Sequence, residues 1–389
     1  MPRPAELIMR LTDGSEFRRF TQVTLTESFA DPIDRMTCTL RPGMGEWSNY
    51  SDKTRKGELI GMSVNDHAQA AMMIQTRTRR YGPNTGLVMT LSAVSTLQLL
   101  MEGFIEPKDS KRLDSEEPII DLVSDIAAKF GFDEVQADQD VAAIQTKSGK
   151  KSDGKSKRGS EKKYKAAQSS GSEIAYSFLT RVLSRNGVML RQHPEGMLIL
   201  TAPHYDQKAL YCLREPGSNG PDGDWCEGDI EETDSNEGQF SFVEVAGSSP
   251  EDDGETKTAA PTSRVESSAI NSARPPFRAT DFIKYKPRFY RDENAKGVDN
   301  AKHVATLILG RAAERAYALK VRVPALVSKD GVPWTVDTIC RAYFPTLGVD
   351  EDMWIFERTM SQSVDGGQMT EITLLPKGYF AIGDESNSG

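Results

Sequence analysis

The residues able to do chemistry are few and scattered. The four histidines, His67, His193, His204 and His303, stand alone. No HExxH-type pair brings two of them to one helix face, so a metal centre is not expected. The four cysteines, Cys38, Cys212, Cys226 and Cys340, include no CxxC pair. Four reduced thiols are the plain reading, and a Cys212–Cys226 clip across an acidic loop is the alternative. His204-Tyr205-Asp206 sets a base near a carboxylate. Residues i and i+2 of a strand point the same way without facing each other, and no nucleophile is near, so a strand-end surface patch is expected. Asp222-Gly223-Asp224 and Asp229 offer oxygen ligands for calcium, but without the ligand order of an EF-hand, its glycine at the sixth position and its final Glu. Gly149-Lys150-Lys151-Ser152 imitates the end of a phosphate loop and lacks the earlier glycine. Nucleophile elbows and dinucleotide fingerprints are missing. Paired carboxylates of the glycosidase kind have no locatable position in so acid-rich a chain. No catalytic, cofactor-binding or metal-binding residue is assigned, and a structural protein is favoured over an enzyme.

Whatever these residues do, the elements that position them are mostly strands. Glu6–Leu11, Glu16–Phe29, Arg35–Arg41, Leu59–Val64, Ala71–Thr78 and Leu87–Leu91 alternate apolar and polar residues, the pattern of sheets with one buried and one wet face. The alternation slips between Phe17 and Phe20, which suggests a bulge. Ser92–Met101 reads as a short helix. The period then changes. Ile119, Ile120, Leu122, Val123, Ile126 and Ala127 recur at helical spacing and stop at Gly131, and residues 173–187 form a second amphipathic helix. Val188–Arg191 and Met197–Thr201 read as a hairpin. Toward the far end, Lys296–Ala318 reads as a helix with a small-residue face. Strands follow at Leu319–Val323, Thr335–Tyr343, Met353–Met360 and Met369–Leu375, with tight turns at Lys329-Asp330-Gly331 and Asp365-Gly366-Gly367.

The 389 residues suggest two or three domains at ~150 residues each. The expected fold class is mainly β with an α/β insert: two antiparallel, barrel-like β domains (1–110 and 277–389) flank a small α/β domain (111–210), and an acidic segment with a linker fills 211–276. Lys147–Lys165 carries nine bases and two acids, while residues 215–256 carry fourteen acids and no Lys or Arg, a run interrupted by a short strand at Phe240–Val245. These read as two opposed loops, which could pair within or between subunits, although exposed charges at this density are mostly screened. With 48 basic against 57 acidic residues, the net charge of −9 argues against wrapping nucleic acid. The N-terminal residues lack an apolar signal core, and Gly86–Met101 is too short and too polar to span a bilayer. Trp334 and Trp354 are expected to be half-buried in the last β domain. Tyr379-Phe380 is placed as its cap.

The order of segments resembles the baseplate hub proteins of contractile-tailed bacteriophages, of the Mu type, related to the front part of type VI secretion spike proteins. Four stretches carry it. Leu11-Thr-Asp-Gly-Ser-Glu-Phe-Arg-Arg-Phe, Val23-Thr-Leu-Thr-Glu-Ser-Phe and the run from Phe29 to Leu40 look like the opening strands of the family's first tube domain. Leu59–Val64, Met72–Arg77 and Leu87–Leu100 look like its next strands and short helix. Ile119–Gly131, Ser172–Leu179, Arg185-Asn-Gly187-Val188 and Gly196-Met-Leu198 follow the order of the hub insert. Gly331-x-x-Trp334, Gly348-Val349-Asp350, Ile355-Phe-Glu-Arg-Thr and Gly366-Gly-Gln-Met-Thr-Glu-Ile-Thr-Leu-Leu-Pro are similar to the C-terminal tube domain. The resemblance implies a non-enzymatic homotrimer whose two tube-type domains per chain form a pseudo-sixfold ring. It implies partners in the spike protein, the tail tube or its initiators and the baseplate wedge, DNA passing through without specific binding, no cofactor and no membrane insertion. It places the protein in the virion tail, assembled in the host cytoplasm. A tail-associated cell-wall or polysaccharide hydrolase and a glycan-binding adhesin are the alternatives. The basic loop and the acidic stretch depart from the family, and no family contact is carried onto them.

Overall fold

The computed structural model describes residues 5–41, 47–83, 86–106, 119–138, 141, 173–184, 188–235, 240–247, 262–266, 286–292, 301–302, 304–306, 308–309 and 316–377. The basic loop 147–165, its Gly149–Ser152 stretch, His303 and Tyr379-Phe380 lie outside the described residues. The first module contains β1 (Leu7–Leu11), β2 (Glu16–Phe17), β3 (Gln22–Ser28), β4 (Arg35–Leu40), β5 (Leu59–Val64), β6 (His67–Gly82) and β7 (Gly86–Ser95), with α1 (Trp47–Lys53) and α2 (Gln98–Glu102). The insert holds α3 (Ile119–Ala128), β8 (Val135–Ala137), α4 (Ala175–Ser184), β9 (Met189–Gln192) and β10 (Leu198–Thr201). β11 (Tyr211–Arg214), β12 (Asp224–Trp225) and β13 (Glu231–Asp234) follow, then β14 (Phe242–Gly247), β15 (Thr262–Glu266) and β16 (Pro287–Asp292). The chain returns with β17 (Tyr317–Val323), β18 (Ile339–Phe344), β19 (Val349–Ser363) and β20 (Gly367–Pro376).

Several expectations change. Glu16–Phe29 is not one bulged strand but two strands, separated by Arg18–Thr21. β6 is twice the expected length, because its distal half, Gln75–Gly82, is mostly exposed and carries no alternation to read. β7 runs on to Ser95, where a helix was expected, since β4 and β6 flank it on both sides. The described part of 211–276 holds more than the loop, linker and single strand expected at Phe240–Val245, which stands as β14. β11 to β13 belong to the large sheet, and β14 and β15 to a small one, because ladders are made by backbone groups and tolerate exposed acidic side chains.

Fourteen strands make one sheet, and they fall into two modules with the same strand order. The first runs β3-β4-β7-β6-β5-β1-β2 and the second β13-β17-β20-β19-β18-β11-β12. In sequence order the first seven strands therefore occupy the same places as β11, β12, β13, β17, β18, β19 and β20. The long hairpins agree residue for residue. Gly82 pairs Gly86 at the first turn and Ser363 pairs Gly367 at the second, and both ladders slip by one residue at the matching place, Ile74/Thr76 and Ile355/Glu357. β7 and β20 share one sequence of buried and exposed positions. Gly86 and Gly367, with φ of 65° and 69°, supply the left-handed backbone both turns need. The modules differ at their far end, where β1 runs antiparallel to β5 while β11 runs parallel to β18.

Neither module closes on itself among the described residues, so the expected barrels are corrected to two halves of a continuous sheet. The reason is the seam: β3 spends its outer edge on β19 rather than on its own module, from Glu357↔Ser28 to Ser363↔Gln22. One apolar core runs across that seam, from Leu7, Met9 and Leu25 to Trp334, Ile355 and Leu374. The insert packs α3 and α4 on the sheet β8-β10-β9 around its own core of Leu122, Val123, Phe178, Leu179 and Leu198. A third, smaller core joins β14 and β15 to Ala301, Ala305 and Leu309. Among the described residues, no helix is long and apolar enough to cross a membrane.

Candidate functional site

The densest charge chemistry lies at the seam. Glu27 stands in the inward phase of β3, in line with Val23, Leu25 and Phe29, and Arg358 stands on the inward face of β19 beside Met360. Arg358 is 1% exposed. Its Nε and Nη2 both donate to Glu27 Oε2, at 2.8 and 2.7 Å. Its Nη1 donates to Gln69 Oε1 at 2.6 Å and to the Trp334 carbonyl. The other oxygen of Glu27 takes Arg191 of β9 at 3.2 Å. One carboxylate thus ties the first module, the second module and the insert. Nearby Asp34 is pushed up to about 8, chiefly by burial and then by the negative charge of Glu27.

A second clamp joins the insert to the second module. His204 Nδ1 meets Asp337 Oδ2 at 2.7 Å and its Nε2 meets Asp138 Oδ2 at 2.6 Å. The His204 backbone N–H donates to Asp337 Oδ1 at 3.0 Å, and Trp354 Nε1 donates to the same oxygen at 2.8 Å. Asp337 has a φ of 63°, left-handed backbone that an aspartate tolerates and that these bonds hold in place. Hydrogen bonding to Asp337 raises His204 to about 9, against the opposing effect of burial. With both ring nitrogens engaged and the ring cationic at neutral pH, His204 cannot serve as a general base there. The expected surface patch at 204–206 is corrected: Tyr205 packs on the Trp354 ring, 5.3 Å between centroids, and the carboxylates that matter come from far away in sequence.

The seam has a pH signature. Between an unfolded value of 6.5 and about 9, only folded His204 holds its proton, so its contribution is full below pH 6.5 and is lost as pH rises through 9. Asp34 acts in the same direction between 3.8 and about 8. The thermal midpoint is expected to fall from pH 6.5 to pH 9.5, and less steeply in His204→Gln. A flat profile in the parent protein would contradict the His204 clamp and the burial of Asp34.

Among the described residues, no group of three or more His, Cys, Asp or Glu side chains could hold a metal ion. Asp222 pairs with the Lys329 ammonium, and Asp224 Oδ1 accepts the Lys329 N–H at 2.8 Å, so a lysine turn takes the place considered for calcium. An open cleft lies beside them, lined by Tyr211, Cys212, Asp224 and Arg341. All four cysteines are free, and burial pushes Cys38 and Cys226 up to about 12, leaving protonated thiols. Trp334 and Trp354 are fully buried rather than half-buried. Trp225 is exposed, with the Arg214 guanidinium 3.6 Å over its ring. Sequence reasoning missed Glu27 and Arg358. The available signal was a charge in the inward phase of each of two strands.

No family model and no curated protein matches the chain. Solved structures do. A tail protein from Neisseria meningitidis is 14% identical, with a TM-score of 0.70 over 97% of this chain and 98% of that one. The 43 kDa tail protein of prophage MuSo2 from Shewanella oneidensis is 13% identical, with a TM-score of 0.69 over 97% of this chain and 100% of that one. A chain of the lidless PdpA–VgrG complex, known from Francisella, is 8% identical with a TM-score of 0.51, over 96% of this chain and 64% of that one. The chain therefore has the fold of phage tail proteins, as the hub resemblance implied. It is similar in fold to a Mu-like prophage tail protein over 97% of its length.

Proposed function

We propose that this chain is the structural hub of a contractile phage tail, a non-enzymatic protein that closes into a homotrimeric ring at the baseplate. The observation that carries the reading is the doubled strand order. A chain holding two modules of one topology offers six similar units in three copies, which meets a sixfold tube on one side and a threefold spike on the other. The proposed division is residues 1–110 and 277–389 as the tube-type domains, 111–210 as the insert and 211–276 as the acidic segment, of which β11 to β13 complete the second module. Spike, tube or tube-initiator and wedge proteins are the proposed partners. The lumen is neutral to acidic, so DNA phosphates pass without sticking. The protein is a virion component, assembled in the host cytoplasm.

Native mass spectrometry of the purified protein is expected to give three chain masses. A density map of the tail tip is expected to show three copies in one ring. A clean monomer at high concentration, with no such ring in the particle, rejects the proposal. A clearing zone on a cell-wall zymogram would reject its non-enzymatic part.

A further inference from the structure

The modules are repeated but their edges are not equally filled. Within one chain, β3 lies along the distal half of β19. The counterpart of β19 in the first module is β6, and the counterpart of β3 in the second is β13. β5 covers β6 only from His67 to Met73, so among the described residues the same edge of β6 beyond Met73 carries no strand. Among the described residues β13 pairs only with β17, and its other edge is equally open. All four β13 residues are exposed, as are Arg79 and Arg80 of β6.

We infer that the internal seam is repeated between copies: β13 of one copy adds to the open edge of β6 in the next. This rests on the ring proposed above and names its contact. The register follows from the shared ladders. Glu27 pairs Arg358 and Thr26 pairs Thr359 within the chain. Through the matching hairpins, Arg358 and Thr359 correspond to Arg77 and Thr78. In the ladders that flank β3 and β13, Leu25 pairs Met36 as Glu232 pairs Leu319. Met36 then pairs Ala93 and Leu319 pairs Leu374, at matching places on β7 and β20. Thr26 therefore corresponds to Thr233 and Glu27 to Asp234. The register between copies sets Arg77 opposite Asp234, Thr78 opposite Thr233, Arg79 opposite Glu232 and Arg80 opposite Glu231.

Three further features of the two strands agree with that register. Every charged pair has opposite signs. The threonine pair repeats the one inside the chain, whose hydroxyls are 3.2 Å apart. Arg77 is already posed as Arg358 is. Its Nη1 donates to the carbonyl of Thr54 at 3.0 Å and to that of Ser51, as Arg358 Nη1 donates to Trp334. Its Nε and Nη2, the two atoms Arg358 gives to Glu27, find no acceptor among the described residues. The neighbouring charges of Arg79 and Arg55 add to burial in lowering its proton affinity, so an incoming carboxylate answers a local excess of positive charge. Added backbone bonds set the register and the charges set the choice of partner. Until assembly, the acidic side chains of β13 keep its edge from indiscriminate pairing.

Two measurements on the full chain test this. Thr78→Cys with Thr233→Cys is expected to give a ladder of covalent multimers under mild oxidation, while either change alone gives none above the parent background. Arg79→Glu with Arg80→Glu, and separately Glu231→Arg with Glu232→Arg, are each expected to raise the dissociation constant of the assembly at least tenfold, with recovery when all four are combined. A parent protein that is monomeric throughout overturns this contact and the ring together. A parent protein that assembles, ignores both charge reversals and gives no ladder overturns this contact and leaves the ring standing.

Discussion

Glu27→Ala is expected to cost about 3–5 kcal/mol of folding stability, read as a shift of the urea midpoint at constant slope. The size follows from what remains. Arg358 is 1% exposed and depends on Glu27 for two of its donors. Without that carboxylate, a guanidinium stays inside the seam with only neutral acceptors, Gln69 and the Trp334 carbonyl. Arg191 loses its carboxylate at the same time and keeps the face of the Phe29 ring, 4.8 Å from the guanidinium. The pair is not thereby a large net stabiliser, because desolvating two charges offsets most of their attraction. Glu27→Ala combined with Arg358→Met should therefore recover much of the loss, since methionine fills the space without a charge. A single-site cost below 1 kcal/mol would mean that water reaches Arg358 and that the seam is looser than described.

The second large effect is expected at Trp354, where truncation to alanine should cost about 3–5 kcal/mol. The indole is 1% exposed and meets Phe29 of the first module at 4.7 Å between centroids. It also packs against Tyr205 and gives its N–H to Asp337. Trp354→Phe separates these roles. It keeps most of the packing and removes only the donor, so a loss of about 1 kcal/mol is expected. In Trp354→Phe the His204 clamp should also titrate differently, because Asp337 then leans on His204 alone. If phenylalanine costs as much as alanine, the hydrogen bond rather than the packing carries the site.

The fold was legible wherever one strand face was apolar. β1, β4, β5, β17 and β20 stand close to where alternation put them, and the turn before Gly367 follows from Asp365-Gly366-Gly367. Legibility failed where pairing, not side-chain burial, makes the strand. Glu231-Glu232-Thr233-Asp234 has no apolar phase at all, yet β13 forms because β17 supplies a ladder. The distal half of β6 is hidden for the same reason. Two like β domains were expected at the two ends of the chain, but their residue-for-residue register is hidden, because Gly-Leu-Val-Met-Thr-Leu-Ser-Ala-Val-Ser and Gly-Gln-Met-Thr-Glu-Ile-Thr-Leu-Leu-Pro share burial and register but few residues. His204 and Asp337 are 133 residues apart, so no local spacing announces their contact. Glu27 and Arg358 were readable only as charges out of place, and pairing one misplaced charge with another needs the register that the fold supplies.

The seam also sets a timetable for synthesis. Thr26 and Thr359 touch across 333 residues of chain. At about 5–20 residues per second, a ribosome needs roughly 17–67 s between making the two. From the completion of β7 at Ser95 until Arg358 is made, the first module exists with one flank bare, its Glu27 carboxylate awaiting that arginine. A nascent chain in that condition is a natural client for a chaperone that shields strand edges. Crowding on one messenger favours pairing between neighbouring nascent chains, whose β6 edges are already made and still open.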